Sequence, residues 1–579
     1  MTMLTKWGAA LDRSCPLPEY PRPQLRRESF YILNGVWDYA VTPSGDEPEV
    51  WDGEIVVPFS PEAPLSGAAR GPAKDEYLHY RRGFTLPEGF QKSRVLLHFG
   101  AVDQIAEVFV NGVSAAKHSG GYWPFSADIT SLLREGENIL RVTVRDNADD
   151  PTFAYGKQRY KRGGMWYTAQ SGIWQTVWLE SVPEVYVKSL RITPEFDEAR
   201  VRIELETALE SSAAITCDVR AADGSFVAGS WAKGGVCVVP LPGFRAWTPD
   251  DPYLYTLDIT CGEDHVESYF AMRKFSYVEL DGHKVFGLNN APLFHNGLLD
   301  QGYYPDGLLT PPSDEAMVND IETMKRCGFN MLRKHIKIEP LRWYYHCDRL
   351  GMIVWQDMVS GGQPYSFLHV SALPTLGKVD LPDQDAKPYG RSGVLSRARF
   401  RREMADTVRL LYNCPCIALW TVFNEGWGQF DALDMANELK KLDPTRFIDH
   451  ASGWQDQGYE EMKSRHIYFR PVKLKNDGRA LALTEYGGYI LAVDGHRWTD
   501  KVFGYRICRN SAALAHDYEK LMLGQVLPHI RKEGLTAAVY TQITDVEEEL
   551  NGLMTYDREV LKIPEETLRE INAALRFDA

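Results

Sequence analysis

Two glutamates are set in matching surroundings. Glu425 follows the run Ile417-Ala-Leu-Trp-Thr-Val-Phe-Asn424 and is itself followed by Gly426. Glu485 follows Ala480-Leu-Ala-Leu-Thr484, with Tyr486-Gly-Gly488 after it. Continuous apolar runs of this kind, between helix-like segments, read as strands buried on both faces. A carboxyl at the C-terminal tip of such a strand costs stability, because burying a charge is expensive. That tip is also where the active sites of βα barrels gather. Two carboxyls so placed are the equipment for hydrolysing a glycosidic bond, one as proton donor and one as nucleophile. A retaining mechanism needs them only about 5–5.5 Å apart, across a shared mouth. The competing reading makes each a salt-bridged barrel residue, and the repeated glycine-punctuated context favours chemistry.

Other side chains join them as candidate substrate-binding groups. Asn424 can hydrogen-bond a sugar 2-hydroxyl, and Trp427 helps provide a setting that keeps Glu425 protonated. Asp357 stands at the tip of another apolar run, Met352-Ile-Val-Trp355, where it either binds sugar hydroxyls or caps a helix. Arg333-Lys334-His335-Ile336-Lys337 gathers cations at a further tip, and Arg333, Lys334 and Lys337 could grip a uronic acid carboxylate. Pairing with Glu339 in a solvated loop is the alternative. Trp454 and Tyr489 are added as aromatic candidates.

The elements that must carry these residues change character along the chain. Residues 1–182 read as a β-sandwich. Asn138-Ile-Leu-Arg-Val-Thr-Val-Arg145 alternates with Leu140, Val142 and Val144 inward, and Asn111-Gly112 marks a hairpin. Residues 183–277 form a smaller sandwich of immunoglobulin type, with Arg200-Val-Arg-Ile-Glu-Leu-Glu206 alternating strictly. From 278 to 579 strands alternate with helices. Strands are expected at 293–295, 329–332, 352–355, 417–423, 447–449, 467–469, 481–484 and 537–541, the repeat of a (β/α)8 barrel. Ser313 caps a helix carrying Met317, Ile321 and Met324 on one face, and Pro340 opens another that Gly351 stops. Residues 360–396 lack periodicity and suit a functional loop over the barrel mouth.

The bulk numbers exclude several classes. A net charge of −15 argues against nucleic acid or an anionic membrane as partner. No run of about 18 apolar residues and no signal-like h-region occurs, so neither a span nor a leader is expected. Nine cysteines, odd in number and scattered, suit free thiols in a reducing cytoplasm. Cys414-Pro-Cys416 lacks the second ligand pair that a zinc site needs. No cofactor and no metal are expected.

The order of sandwich, immunoglobulin-like domain and barrel resembles glycoside hydrolase family 2, over essentially the whole chain. The resemblance rests on Leu33-Asn-Gly-Val-Trp-Asp38, Ser171-Gly-Ile-Trp-Gln-Thr-Val-Trp178, Trp420–Gly428 and Thr484-Glu-Tyr-Gly-Gly488. It implies an N-terminal jelly roll, Glu425 as acid/base on the fourth strand and Glu485 as nucleophile on the seventh. It also implies that Tyr468 touches the nucleophile, and that the loop 157–170 reaches the active site. Arg333 and His335 would keep the family's Arg and His. Tyr540 and Gln542 stand at the last strand, where many relatives carry Trp. The acidic run Val546-Glu-Glu-Glu-Leu-Asn-Gly552 reads as a solvated loop, and the Asn-x-Lys that glucuronidases use for their carboxylate is not found near it.

The leading expectation is therefore a retaining exo-β-glycosidase for a galacto-configured sugar, with a glycoside as its partner and homo-oligomers common among relatives. A β-galacturonide or β-glucuronide is the alternative. A non-catalytic carbohydrate-binding protein is a reading from another class, and a metal-dependent barrel using His295, His335 and His450 is a third.

Overall fold

A computed structural model describes residues 3–209, 214–375 and 380–577. In the first sandwich, six strands lie in the order Gly53–Val57, Gly35–Thr42, Tyr77–Thr85, Glu137–Arg145, Ile105–Val110 and Val113–Ser119. They face a sheet of Phe30–Ile32, Val177–Val182, Arg94–Phe99 and Phe125–Asp128. Leu140, Val142 and Val144 point into the core as their alternation dictates. Asn111 and Gly112 both take positive φ, +52° and +82°, the hairpin geometry their dipeptide favours. The first residues are not β structure. They hold a short helix, Lys6–Ala9, and Thr5 donates from both N and Oγ1 to Asp306 of the barrel domain at 2.7 Å.

The second sandwich packs Val187–Glu195, Arg200–Thr207 and Val236–Pro240 on Phe226–Trp231, Ile215–Arg220, Tyr255–Cys261 and Asp264–Phe270. A hairpin of Phe275–Leu280 and His283–Leu288 then runs across the boundary expected at 277/278. Its Phe286 stacks on Phe447 at 4.2 Å and plugs the base of the barrel among Leu299, Met331, Ile353, Trp355, Leu419 and Val539. Each such buried large apolar side chain is worth roughly 1.5–3 kcal/mol.

The barrel strands are β1 His295–Asp300, β2 Met331–Lys334, β3 Ile353–Asp357, β4 Ile417–Thr421, β5 Phe447–Asp449, β6 Met462–Ile467, β7 Ala480–Gly487 and β8 Leu535–Thr541. All pairs are parallel in the order 5-4-3-2-1-8-7-6. The β5–β6 seam is closed by side chains instead of a ladder. Ser464 Oγ lies 3.0 Å from both Asp449 Oδ1 and Ala451 O, and Glu461 Oε2 accepts from Ile448 N at 3.2 Å.

Strand β6 falls earlier than the expected 467–469, and β1 begins where 293–295 ends. Met462-Lys-Ser-Arg-His-Ile467 alternates buried and half-exposed positions because no helix follows β5 or β6 among the described residues. The helix Asp314–Arg326 has Ala316 N bonded to Ser313 Oγ at 3.2 Å, with Met317, Ile321 and Met324 buried. Pro340 caps Leu341–Leu350 from just outside it, and Gly351 ends it at φ +73°. The segment 360–396 lies across the mouth. Ser360 O accepts from Tyr155 N and Gly156 N of the first sandwich, and His369 O accepts from Gln455 Nε2 at 2.7 Å. Residues 376–379 of that segment lie outside the described residues.

All nine cysteines are free thiols, eight of them buried. No helix among the described residues is long and apolar enough to cross a membrane.

Candidate active site

Backbone geometry aims both glutamates into the mouth. After β4 the chain turns sharply, and Glu425 takes φ +54°, a region that costs a non-glycine residue of order 1–3 kcal/mol. The turn is held from the β5 side, where Glu425 N donates to Ser452 O and Trp454 Nε1 donates to Glu425 O, both at 2.9 Å. On β7 the register against β8 slips between Leu483 and Tyr486, a bulge that re-aims Glu485. Gly487 follows at φ +83°, where a Cβ would stand 2.2 Å from the Tyr540 ring.

The two carboxyls meet. One oxygen of each lies within 4.8 Å of the other, with a ring nitrogen of His466 inside the same limit. His466 Nδ1 is 2.8 Å from Glu425 Oε1 and 3.5 Å from Glu485 Oε2. Arg333, fully buried, ties the floor together. Nε and Nη2 grip Asp357 at 2.9 and 3.0 Å, Nη2 reaches Asn424 Oδ1 at 2.9 Å, and Nη1 reaches Glu485 Oε1 at 3.2 Å. Tyr468 donates to Glu485 Oε2 at 2.5 Å. With Arg333 on one oxygen of Glu485 and Tyr468 on the other, the trio is built to steady an anion more than to ligate a cation.

Burial raises the pKa of both glutamates. For Glu485 the shift is opposed by His466, by Arg333 and by the Tyr468 hydrogen bond, and reinforced by Glu425. For Glu425 only the fields of Lys157 and Arg333 oppose it. Both carboxyls are thus pushed upward by burial, and the Glu485 anion has Arg333 and Tyr468 as hydrogen-bond donors, one on each oxygen. Burial also lowers His466 to about 4 and His335 to about 3, so both rings are neutral at pH 7. Against the cost of its burial, Arg333 and His335 hold the Asp357 carboxyl at about 2.

Several expected contacts are corrected. Lys334 Nζ is taken by Asp300 and Glu339 at 2.6 and 2.8 Å. Lys337 Nζ is taken by Gly302 O, Leu309 O and Glu339 at 2.6, 2.8 and 2.8 Å. Both lysines are buried, Lys337 with three partners and Lys334 with two and the Trp343 ring at 4.1 Å, so both are committed within the fold, and Arg333 already holds Asp357 and Glu485. Asp357 caps no helix: both its oxygens are bonded to Arg333, and Oδ2 lies 2.7 Å from His335 Nδ1. Tyr540 points to the helix side of the barrel, against Tyr518 and Tyr486, and it is Thr541 that faces Tyr468. Tyr489 is turned toward Arg506 and Tyr540, and Gln542 donates to Asn551 at 2.7 Å.

The acidic segment 546–552 is not solvated. Glu547 and Glu549 are buried and dock the sandwich loop. Thr168 N donates to Glu547 Oε1 and Gly164 N to Glu548 Oε2, both at 2.8 Å, and Tyr167 OH bonds Glu549. Loop 157–170 is thereby delivered to the site. Lys157 and Trp166 line a cleft with Asn424, Glu425, Trp427 and Tyr365, and Trp166 meets Trp427 edge-on at 5.1 Å. His295, His335 and His450 are not brought together. His295 bonds Trp355, His335 bonds Asp357 and His450 accepts from Gln457 N, so these three histidines do not form a common ligand set. His466, Ser452 and Glu549 were missed from sequence. Only the two-residue spacing from His466 to Tyr468 hinted at the first.

Three family profiles cover most of this architecture: "Glycosyl hydrolases family 2, sugar binding domain" over 64–183, "Glycosyl hydrolases family 2" over 185–273, and "Glycosyl hydrolases family 2, TIM barrel domain" over 310–474. The chain belongs to glycoside hydrolase family 2. It is 25% identical over 387 residues to a β-galactosidase of Thermoanaerobacter pseudethanolicus, covering 63% of this chain and 47% of that protein. It is 22% identical over 535 residues to a β-glucuronidase of Paenibacillus borealis, covering 82% and 85%. The chain thus spans just under half the length of the β-galactosidases it matches in T. pseudethanolicus and Halalkalibacterium halodurans, 47% and 45%. Among solved structures, the β-glucuronidase of an uncultured Clostridium sp. superposes with a TM-score of 0.75 at 19% identity, covering 95% and 99%. The galacturonate-bound family 2 β-galacturonidase of Eisenbergiella tayi gives 0.71 at 19%, covering 96% and 99%. At these identities the structural likeness speaks to the fold alone.

Proposed function

We propose that this family 2 chain is a retaining exo-β-glycosidase in which Glu425 is the acid/base and Glu485 the nucleophile. The separation of the two carboxyls carries the reading, because an oxygen pair within 4.8 Å suits the roughly 5–5.5 Å between the groups of a retaining pair better than the roughly 6.5–9.5 Å of an inverting one. In the first half-reaction Glu485 attacks C1, the C1–O bond breaks, and the leaving oxygen takes the proton of Glu425. In the second, water attacks C1 and gives its proton to Glu425, and the electron pair of the ester bond returns to Glu485. Asn424, whose Oδ1 is held by Arg333, has its amide NH2 available for the sugar 2-hydroxyl.

We read the sugar as neutral, and as galacto-configured by likeness to the β-galactosidase relatives. The lysines expected to hold a uronate are committed to Asp300 and Glu339, and Glu549 adds a buried carboxyl close to the cleft. A β-hexuronide is the second reading, favoured by Lys157 at the cleft and by the glucuronidase and galacturonidase neighbours. Free thiols throughout suit a reducing compartment, and the reading places the enzyme in the cytoplasm.

A panel of nitrophenyl glycosides tests the activity, with NMR of the first-formed anomer testing the stereochemistry. Turnover of a β-galactoside with the β-hemiacetal appearing first is expected. Silence on every β-hexoside and β-hexuronide, or an α-hemiacetal appearing first, overturns it.

A further inference from the structure

An acid/base carboxyl has two oxygens, and only one can face the leaving group. His466 distinguishes them. It lies opposite Glu485 in the β6–β7 register, with its ring fully enclosed. Gly453 packs against one face so closely that a Cβ there would stand 2.6 Å from the ring, and the Trp454 ring lies 5.5 Å away. Nε2 lies 3.3 Å from Ser452 Oγ, and Nδ1 lies 2.8 Å from Glu425 Oε1. No described side chain hydrogen-bonds Glu425 Oε2, and the Glu425 side chain keeps 20% of its surface open at the cleft.

We propose that His466 is a positioning residue whose Nδ1–H donates to Glu425 Oε1 and so leaves the catalytic proton on Oε2, facing the glycosidic oxygen. This rests on the reading of Glu425 as acid/base. During glycosylation the Oε2 proton moves to the leaving oxygen as C1–O breaks and the Glu485–C1 bond forms. The Glu425 carboxylate left behind keeps the same hydrogen bond at Oε1, now charge-assisted. Water then attacks C1, its proton returns to Oε2, and the electron pair of the ester bond goes back to Glu485. A neutral donor suits both half-reactions, because it can stabilise the carboxylate without holding the acid permanently ionised. The ring's burial keeps it neutral, and in the proposed arrangement Nε2, 3.3 Å from Ser452 Oγ, takes the accepting role that leaves the hydrogen on Nδ1.

The test compares kcat/KM for wild type, His466→Leu, His466→Asn and Ser452→Ala on β-glycosides graded from dinitrophenyl to alkyl leaving groups. General acid catalysis is worth roughly 10²–10⁴-fold. His466→Leu should therefore lose about 10²-fold or more on alkyl glycosides and far less on dinitrophenyl glycosides, which leave without a proton. His466→Asn, which retains an N–H donor, should recover part of the alkyl loss. If the leucine variant does not fold, Ser452→Ala must show the same leaving-group trend in weaker form. A loss equal across all leaving groups, or no recovery with asparagine, overturns the proposal. Glu425→Gln on the same panel separates the two ideas. A steep dependence there with a flat His466→Leu response sinks only the role of His466, whereas a flat Glu425→Gln profile sinks the acid/base reading itself.

Discussion

The Tyr468 hydroxyl donates to Glu485 Oε2 at 2.5 Å and meets Thr541 Oγ1 at 2.9 Å, so the proposed nucleophile is braced from the end of β6 and the end of β8 together. Tyr468 also stacks on Tyr505 at 3.9 Å, which fixes the ring from behind. The bond to Glu485 is one that changes through the reaction, since the oxygen it touches gains or loses charge as the ester forms and breaks.

Tyr468→Phe keeps the stacked ring and removes only the hydroxyl. A hydrogen bond to a charged group is worth about 1.5–3 kcal/mol, so kcat should fall by roughly ten- to a hundredfold. The melting temperature should stay close to wild type, because the ring packing is unchanged. Steady-state kinetics beside a thermal melt decides this; an unchanged kcat would show that the hydroxyl is only structural.

Arg333→Lys is not conservative here. The guanidinium makes a bidentate grip on Asp357 while reaching Asn424 and Glu485, geometry that a single ammonium cannot copy. Each buried hydrogen bond to a charged group that the ammonium cannot remake costs about 1.5–3 kcal/mol. Activity should therefore be lost together with a clear drop in stability, read by denaturant unfolding. A lysine variant with native stability would show that the hub is looser than its distances indicate.

Much of this was legible in the residues, and what was not has a physical cause. The two glutamates could be read because an apolar run, an acid and a glycine recur in the same order, and barrel strands end that way. The lysines could not, because a sequence shows the charge of Lys334 and Lys337 but not that Asp300 and Glu339 stand beside them. His466 was hidden because β6 lies at the uncovered seam, and its polar alternation does not look like a barrel strand. Tyr540 could not be placed because side chains alternate along a strand and the residues alone do not fix which parity faces inward; Thr541 holds the inward position.

Lys337→Met tests the structural role directly. It removes three buried hydrogen bonds and leaves Glu339 with fewer partners, so the protein should unfold at lower denaturant. The ratio of galactoside to galacturonide turnover should not move, because the ammonium is used within the fold. A change in that ratio without a loss of stability would return Lys337 to the substrate.

Buried neutral groups set the pH range of stability. His335 and His466 are lowered to about 3 and about 4 by burial, so the unfolded chain takes up protons first as pH falls below about 6.5. Their contribution is complete above that value and is lost on acidification toward 4. Glu403 works in the opposite direction: burial raises it to about 8, so the folded state holds its proton more tightly and stability declines as pH rises from 4.5 toward 8. Glu403→Gln should flatten the alkaline side of the stability profile and leave the acid side unchanged, as measured by unfolding midpoints from pH 4 to pH 9.

Lys157 offers the sharpest discrimination between sugars. It lines the cleft beside Glu425, and its field is the largest of those opposing the burial that raises that carboxyl. Lys157→Met removes a lowering influence, so the Glu425 pKa should go up and the alkaline limb of the kcat/KM profile should move to higher pH for any substrate. The effect on KM depends on the glycone. A uronate carboxylate near Lys157 would lose a charge-assisted partner worth about 1.5–3 kcal/mol, and its KM would rise about tenfold or more, whereas a neutral galactoside would lose little. On the proposed function the pH shift appears with little change in galactoside KM. A selective rise in hexuronide KM, on a substrate the wild type turns over faster than the galactoside, would move the assignment to a β-hexuronidase.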